Sequence, residues 1–386
     1  MFRKRLIAPG PVETSFEVGL AMAQPQLHHR SPEAKVVVNR AREFLRVVAG
    51  LPLESGYEPL ILTASGTGAF EAALVSLVPA GSSLVSVSSG KFGERWADMS
   101  RALGYTVFEK RFEWGRAIDP QSVTELLHVN PQARAVLVTH SETSTGTLND
   151  VAAIARAAKA INPEILVIVD AITSLGIAEL RPLEWGLDAV ISGSQKAVGG
   201  PPGLGFVYLS PKAISYLENS NPSVYYWDLN KELKAQKTGE TAYTPAINLI
   251  VGLNASLEPM AAEISSIGLA QHWQNKKNLN DALLEAAKAL GCSSFADDPT
   301  PACVSIVPPE PVTGRDLFKA LLARNARAMT GQDVIKDKIV RISFMGHFDR
   351  YDALAFAGLL EDALVDCGAS ITRGSGVAAL WKALQN

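Results

Sequence analysis

A lysine at the end of an apolar run is the residue best placed to carry out covalent chemistry. Lys196 lies in a loop of small residues, Ser192–Gly203 (SGSQKAVGGPPG). Burying a lysine charge is costly, and a lysine in a desolvated pocket has a lowered pKa and can act as a nucleophile or Schiff-base former. An exposed loop lysine is the alternative interpretation, because short motifs give false positives.

A carboxylate closes the preceding apolar run. Asp170 ends Ile165–Asp170 (ILVIVD), 26 residues before Lys196. That separation is about one crossover unit of a parallel sheet, so two neighbouring strand ends could present both side chains to one site. Asp170 could instead cap the following helix, or face a cationic ligand nitrogen.

Two further segments carry hydroxyl groups and glycines at predicted strand ends. Ala64–Gly68 (ASGTG) lies between a strand and a helix, where backbone N–H groups can bind a phosphate. The segment matches neither the P-loop motif nor GxGxxG. A tight turn without a ligand is the alternative interpretation. Thr139–Gly146 (THSETSTG) could bind a ligand, or cap the helix after Asn149.

An arginine stands inside an apolar run in the last quarter of the chain. Arg341, in VRIS, needs an anionic partner, which could be a structural ion pair or a substrate carboxylate held by two parallel hydrogen bonds. Together these features indicate a pyridoxal-phosphate site. They are a reactive lysine, an aspartate for a ring nitrogen, a segment that can bind a phosphate, hydroxyl groups and this arginine.

The elements that must position these residues alternate between apolar runs and helical patterns. Strands are predicted at Leu60–Thr63, Ser83–Val87, Thr106–Phe108, Ala135–Thr139, Ile165–Asp170, Ala189–Ser192 and Gly205–Leu209, with helices at Gly68–Val78, Phe92–Leu103 and Val151–Ile161. Continuous β-branched runs indicate strands covered on both faces, as in a mainly parallel α/β sheet, which binds ligands beyond its carboxyl ends.

The pattern changes near residue 255. A long helical stretch is predicted at Ser256–Leu290, strands at Cys303–Val307 and Ile339–Phe344, and helices at Gly314–Arg324 and Tyr351–Cys367. We interpret this part as a smaller α+β domain, and divide the chain into an N-terminal arm (1–20), a large domain (21–258) and a small domain (259–386).

Composition narrows the class of protein. Of 386 residues, 47% are hydrophobic, the net charge is −3 and there are three cysteines. These values argue against a disordered chain, a nucleic-acid binder with a basic stripe and a disulfide scaffold. No segment resembles a signal peptide or a membrane span, so a soluble cytoplasmic protein is expected. His28 and His29 are adjacent, but no carboxylate spacing supports a metal site.

The order and spacing of these motifs resemble the class V aminotransferases of fold-type I, and among them the alanine–glyoxylate and serine–pyruvate (serine–glyoxylate) aminotransferases. The resemblance covers nearly the whole chain, in the segments APGP (Ala8–Pro11), SGTGAFEAAL, THSETSTG, VDAITSLG, SGSQKAVGGPPG and VRISFMGH (Val340–His347). It implies a seven-stranded-type sheet in a three-layer large domain, and pyridoxal 5'-phosphate as cofactor.

The resemblance implies a role for each matching residue. Lys196 matches the Schiff-base lysine, Asp170 the partner of the pyridine nitrogen and Arg341 the arginine that binds the substrate carboxylate. The other matches are Ser65, Gly66, Thr67 and Gln195 for the phosphate, Thr143 for the phenolic oxygen, Ile172 for the inner ring face, Phe92 for the stacked aromatic and Gly10 near the substrate. Phe92 could also be a core residue of its helix.

The resemblance further implies a homodimer with its sites at the interface. Tyr243 and Thr244, in GETAYTPA, match a segment that reaches the neighbouring subunit's phosphate, and which of the two makes the contact stays open. His28, His29 and Arg30 belong to an early loop, with Arg30 a second candidate for substrate anions. The expected reaction is a ping-pong transfer from alanine or serine to glyoxylate or pyruvate.

Three other functions are alternatives to this reaction. A cysteine desulfurase would need a reactive cysteine on a mobile loop, whereas Cys303 lies in a predicted strand. A transaminase for 2-aminoethylphosphonate or phosphoserine should have additional cations, for which Arg30 and Lys91 are the obvious candidates. A non-catalytic regulator or hydrogenase-associated subunit is possible because fold does not determine function.

Overall fold

The computed structural model describes residues 4–219 and 224–385. Its strands are β1 Arg5–Leu6, β2 Glu58–Thr63, β3 Ser83–Ser88, β4 Thr106–Arg111, β5 Ala135–Thr139, β6 Ser141–Glu142, β7 Thr147–Leu148, β8 Leu166–Asp170, β9 Ala189–Gly193, β10 Leu204–Leu209, β11 Ser293–Ser294, β12 Val304–Val307, β13 Ala326–Arg327, β14 Met329–Thr330 and β15 Val340–Ile342. Its helices are α1 Phe16–Met22, α2 Pro32–Val48, α3 Gly66–Leu77, α4 Lys91–Ala102, α5 Gln121–Val129, α6 Val151–Ile161, α7 Pro211–Asn219, α8 Leu229–Gln236, α9 Ile247–Ile267, α10 Leu269–Ala289, α11 Gly314–Ala323, α12 Arg350–Asp366 and α13 Ser375–Ala383.

A seven-stranded sheet forms the centre of the larger part of the molecule. Its strand order is β2-β10-β9-β8-β5-β3-β4, and β10 pairs antiparallel with both of its neighbours. The pairs β9–β8, β8–β5, β5–β3 and β3–β4 are parallel. The predicted mainly parallel α/β sheet is therefore confirmed, and all seven predicted strands belong to it.

Helices cover both faces of this sheet because successive strand residues point to opposite sides. In β5, Val136 and Val138 join one hydrophobic cluster with residues of α2, α5, α6 and α9. Ala135 and Leu137 join a second cluster with residues of α3, α7 and α8. Burial on both faces explains why these strands are continuously apolar.

A four-stranded antiparallel sheet, in the order β11-β12-β15-β14, lies in the smaller part. Residues of α10 to α13 pack on it in a third hydrophobic cluster. The N-terminal arm joins this part, because β1 pairs with β13 and Ile7 is buried in the same cluster. The smaller α+β unit expected from the sequence is present.

The predicted long helical stretch at Ser256–Leu290 is helical, with one interruption. It is two helices, α9 and α10, separated by Gly268 with a φ of +83°, a conformation that suits glycine. Residue 258 lies inside α9, and the division into domains stays a prediction. None of the helices in the described part of the chain has the length and hydropathy to cross a membrane.

Candidate active site

The two residues singled out first lie at the same edge of the large sheet. Asp170 is the last residue of β8, and Lys196 follows β9 by three residues. The two strands are parallel neighbours, with Asp170 in register with Ile191. Parallel strands that neighbour each other end at the same edge of the sheet. The side chains of Asp170 and Lys196, which lie at or just after the ends of two such strands, therefore meet at one cavity.

This cavity has a volume of about 240 Å³ and brings together ten of the thirteen predicted site residues. Those ten are Gly10, Ser65, Gly66, Thr67, Phe92, Thr143, Asp170, Ile172, Gln195 and Lys196. Five further residues also line it: Pro11, Arg95, Trp96, Ser141 and Thr173. Their presence shows that the cavity takes side chains from helix α4 and the N-terminal arm as well as from strand ends.

Asp170 is almost fully buried, with 4% of its surface exposed. Its Oδ1 accepts a hydrogen bond from the backbone N–H of Ile172 (2.9 Å), and its Oδ2 accepts one from the indole Nε1 of Trp96 (2.7 Å). It caps no helix. Burial raises the pKa of Asp170 to about 7, against the opposing effect of these hydrogen bonds and of Lys196.

Lys196 has no carboxylate partner within hydrogen-bonding distance among the described residues. Its Nζ donates a hydrogen bond to the carbonyl oxygen of Pro9 (2.6 Å) and lies 6.0 Å from the ring centre of Phe92. Burial, followed by the charge of Arg341, lowers the pKa of Lys196 to about 8. At pH 7 about a tenth of a lysine with such a pKa is neutral, far more than for an ordinary lysine, and the neutral amine is a good nucleophile.

The start of helix α3 forms the part of the cavity that suits an anion. Ser65 is the N-cap, and its Oγ accepts a hydrogen bond from the N–H of Gly68 (3.3 Å). A Cβ on Gly66 would lie only 2.5 Å from Ile172 Cδ1, so any larger residue would require the Ile172 side chain to move. The Oε1 of Gln195 is buried and has no hydrogen-bond partner in the described part of the chain. The backbone N–H groups of a helix N-terminus favour an anion, whereas the unpaired Gln195 oxygen is an acceptor that a donor group of a ligand would satisfy.

Arg341 is 3% exposed and lies in β15, outside the cavity lining. Its Nε and Nη2 donate to the carbonyl oxygen of Thr330 (3.0 and 2.9 Å), and its Nη1 donates to that of Thr143 (2.8 Å). The expected anionic partner is absent: no carboxylate of the described residues pairs with it. Three of its five N–H groups are thus used, which leaves two without a partner among the described residues.

Helix α4 begins without a cap of its own, and a neighbouring loop supplies one. Gly90 makes no side-chain cap bond. The buried carboxylate of Glu142 accepts from the N–H groups of Phe92 (3.3 Å) and Gly93 (2.8 Å), and Ser144 Oγ accepts from that of Lys91 (3.0 Å). Burial raises the pKa of Glu142. These bonds fix the helix turn that carries Phe92 at the cavity.

Besides Arg341, two more predicted site residues lie outside the cavity of their own chain. Tyr243 and Thr244 line a separate, small cavity. The Tyr243 hydroxyl donates to the carbonyl oxygen of Tyr225 (2.7 Å), and its ring stacks on Tyr226. The structure of one chain therefore does not bring them to Lys196.

The candidate cations for other substrates are also elsewhere. Arg30 pairs with Glu240 (2.9 Å) and Lys91 with Asp333 (2.7 Å), and neither lines the cavity. His28 and His29 stack on each other. No group of three or more potential metal ligands occurs in residues 4–219 or 224–385.

Arg95, Trp96 and Glu142 are the residues that the sequence analysis missed. Arg95 forms no ion pair with a described residue, and its guanidinium carbon lies 4.9 Å from the Phe92 ring centre. The spacing of Phe92 and Trp96, one turn apart on α4, was the available signal, but the same spacing also fits two core residues.

Comparison with known proteins agrees with the geometry. The family model described as aminotransferase class-V matches residues 14–356. The chain is 38% identical over 387 residues to a protein named soluble hydrogenase, small subunit, from Synechococcus sp. (strain PCC 6716), covering 98% of each chain. It is 30% identical over 388 residues to a serine–glyoxylate aminotransferase of Methylorubrum extorquens, covering 98% and 95%.

A solved structure is similar as well. An aspartate aminotransferase of subgroup IV from Thermus thermophilus is 39% identical, covers 94% of this chain and 99% of its own, and superposes with a TM-score of 0.86. The resemblance noted in the sequence is thereby confirmed.

Proposed function

This chain belongs to the class V aminotransferase family, and we propose that it transfers the amino group of alanine or serine to glyoxylate or pyruvate, in two half-reactions that use pyridoxal phosphate. The observation that carries this proposal is the single cavity at which ten residues of the predicted site meet. The relatives named as glyoxylate aminotransferases support the choice of acceptor.

The residues of the cavity fit the cofactor. Pyridoxal phosphate, when bound, supplies an electron sink for the negative charge that develops at the substrate α-carbon. The N-terminus of α3 with Gln195 would hold its phosphate, and Phe92 and Ile172 would flank its ring. Asp170 would face the ring nitrogen, and Lys196 would bind the aldehyde carbon covalently.

Lys196 and Arg341 would act on the substrate. A lysine amine with a pKa of about 8 can accept a proton from the α-carbon and return it at a neighbouring atom. Arg341 would bind the α-carboxylate through its two free N–H groups, and in both half-reactions, since both substrates carry that group. The N-terminal arm, at Gly10 and Pro11, helps to exclude water from one side of the cavity.

The choice of a small substrate rests on the relatives named as serine–glyoxylate aminotransferases. In the cavity, Ser141, Thr143 and Thr173 supply hydroxyl groups.

An acidic donor is a second candidate, favoured by one observation. Arg95 lines the cavity and forms no ion pair with the described residues, so it could bind a side-chain carboxylate or phosphonate. A protein with 39% identity is named as an aspartate aminotransferase. A non-catalytic role remains the third reading, because the relative at 38% identity carries the name of a hydrogenase subunit.

We also propose a homodimer. Phe16 and Leu20 on α1 and Tyr225 are exposed by 75%, 50% and 76%, and burying them against a second copy would be favourable. Tyr243 and Thr244 would then contribute to the neighbouring subunit's phosphate site, as the family resemblance implies.

The test is an absorption titration of the purified protein with pyridoxal phosphate and then with alanine, serine, aspartate and 2-aminoethylphosphonate in turn. The cofactor band should bleach with alanine or serine and return on addition of glyoxylate or pyruvate. Bleaching by aspartate alone would favour the acidic donor. A protein that gains no cofactor band would leave the non-catalytic role as the leading hypothesis.

A further inference from the structure

Helix α4 reaches the carboxylate of Asp170 through a single indole group. The Nε1–H of Trp96 donates to Asp170 Oδ2 (2.7 Å) and also to Thr139 Oγ1 (3.0 Å). Trp96 is 1% exposed. The only other donor to the Asp170 side chain in the described part of the chain is the backbone N–H of Ile172. One donor on each oxygen leaves each with a further lone pair for a ligand.

The indole is held firmly in this orientation. Its ring stacks on Phe70 of α3, with centroids 3.9 Å apart and an interplanar angle of 11°. The first turn of α4 is fixed by Glu142, as described above. Phe92 lies one turn before Trp96, so the same helix carries the aromatic at the cavity and the donor to Asp170.

The electrostatic setting makes this donor important. Asp170 is buried, which favours its neutral form and places its pKa at about 7. The nearby charge of Glu142 favours the neutral form too, whereas Lys196 and the indole N–H favour the carboxylate. Because the two forms are nearly balanced at neutral pH, the loss of one hydrogen bond to the charged form changes which form prevails.

We propose that Trp96 is a positioning residue, which holds the Asp170 carboxylate ionised and aimed at the cofactor's ring nitrogen. This inference rests on the proposed function only in that the ligand is pyridoxal phosphate. It assigns to Trp96 no contact with the substrate. Trp96 acts through Asp170, so its effect must depend on the presence of the ring nitrogen.

The test compares two ligands in Trp96→Phe. Phenylalanine keeps the stacking on Phe70 and removes the N–H donor. The dissociation constants of pyridoxal phosphate and of 1-deazapyridoxal phosphate, in which C–H replaces the ring nitrogen, are measured by absorbance on the cofactor-free protein. We expect Trp96→Phe to weaken pyridoxal phosphate about tenfold, as for a lost hydrogen bond to a charged group, and to leave the deaza analogue nearly unchanged.

A matched control is Trp273→Phe. Trp273 is also buried, but its Nε1 has no hydrogen-bond partner among the described residues, so neither ligand should be affected. Thr139→Val is the second variant. This variant can be measured even if Trp96→Phe fails to fold. It removes the hydroxyl that competes with Asp170 for the Trp96 N–H, so the affinity for pyridoxal phosphate should be maintained or increased.

A pH series gives a second readout. The affinity for pyridoxal phosphate relative to that for the deaza analogue should fall as the pH drops and Asp170 takes a proton, and Trp96→Phe should move the midpoint of this fall to higher pH. Equal weakening of both ligands, or an unmoved midpoint, would overturn the role of Trp96 while leaving the aminotransferase proposal intact. Failure of the unaltered protein to bind pyridoxal phosphate would overturn both.

Discussion

The amine of Lys196 donates a hydrogen bond to the backbone carbonyl of Pro9 across 2.6 Å, although 187 residues separate them in the chain. The N-terminal arm thus lies directly against the candidate nucleophile. The next residue, Gly10, has a φ of +106°, and a Cβ added to it would lie 2.4 Å from Lys196 Nζ. The arm and the lysine therefore share one space.

The Cβ of alanine in Gly10→Ala would collide with the Lys196 side chain. We expect Gly10→Ala to lose covalent incorporation of pyridoxal phosphate, because either Lys196 or the arm must move. Gly104→Ala is the control, since Gly104 has a φ of +84° but no atom within 4 Å of an added Cβ. Both variants carry the backbone strain, so equal losses of incorporation in the two would assign the effect to strain alone.

Lys196→Ala should keep measurable binding of pyridoxal phosphate and abolish transamination, because the other cavity residues remain while the nucleophile is lost. Binding is measured by equilibrium dialysis, and activity by formation of the oxo acid from alanine or serine. Lys91→Ala is the matched control, as Lys91 is an exposed lysine paired with Asp333. Ordinary turnover by Lys196→Ala would refute the assignment of this lysine.

The incorporation of pyridoxal phosphate should depend on the charge of Lys196. The pKa of about 8 means that the amine is protonated, and therefore not nucleophilic, at lower pH. We expect the initial rate of covalent incorporation to rise about tenfold per pH unit below 8 and to level off above it. Stopped-flow absorbance measures this rate.

A variant of Arg341 tests the cause of the low pKa of Lys196. Its charge lowers the pKa of Lys196, so Arg341→Gln should shift the midpoint of the rate profile to higher pH. Arg315→Gln, at an exposed arginine paired with Asp337, should leave it unmoved. A midpoint near 10.5, the ordinary lysine value, in the unaltered protein would show that Lys196 is not desolvated.

Arg341→Ala should raise the KM for both the amino acid and the oxo acid, because both would lose their carboxylate partner. The expected loss is about 2–5 kcal/mol, typical for truncation of one member of a buried charged pair. Steady-state kinetics with each substrate varied in turn measure it. An unchanged KM for either substrate would place its carboxylate elsewhere.

Subunit mixing should show which residue crosses the proposed dimer interface. Thr244→Val and Tyr243→Phe are each co-expressed with Lys196→Ala. If the altered residue serves the neighbouring site, mixed dimers contain one intact site, and up to about a quarter of normal activity should return. A monomer in sedimentation, or no gain with either variant, would contradict the shared site.

Much of the site followed from local sequence. Apolar runs defined the strands of the large sheet, and their last residues, Asp170 and the loop to Lys196, could be placed at one edge because parallel strands share their direction. The positions of Ser65, Gly66 and Thr67 followed in the same way from a strand–helix junction. Such placement follows from the strand and turn directly before each residue, which is why it could be predicted without the structure.

Other relationships depended on how distant elements pack. The spacing of Phe92 and Trp96 fits one face of α4, but periodicity does not say whether a core or a cavity covers that face. Only the tertiary structure set Trp96 against Asp170, Glu142 at the start of α4 and Pro9 against Lys196. It did so because side-chain packing fixes the rotation of the helix and the path of the arm, and both are properties of the whole molecule.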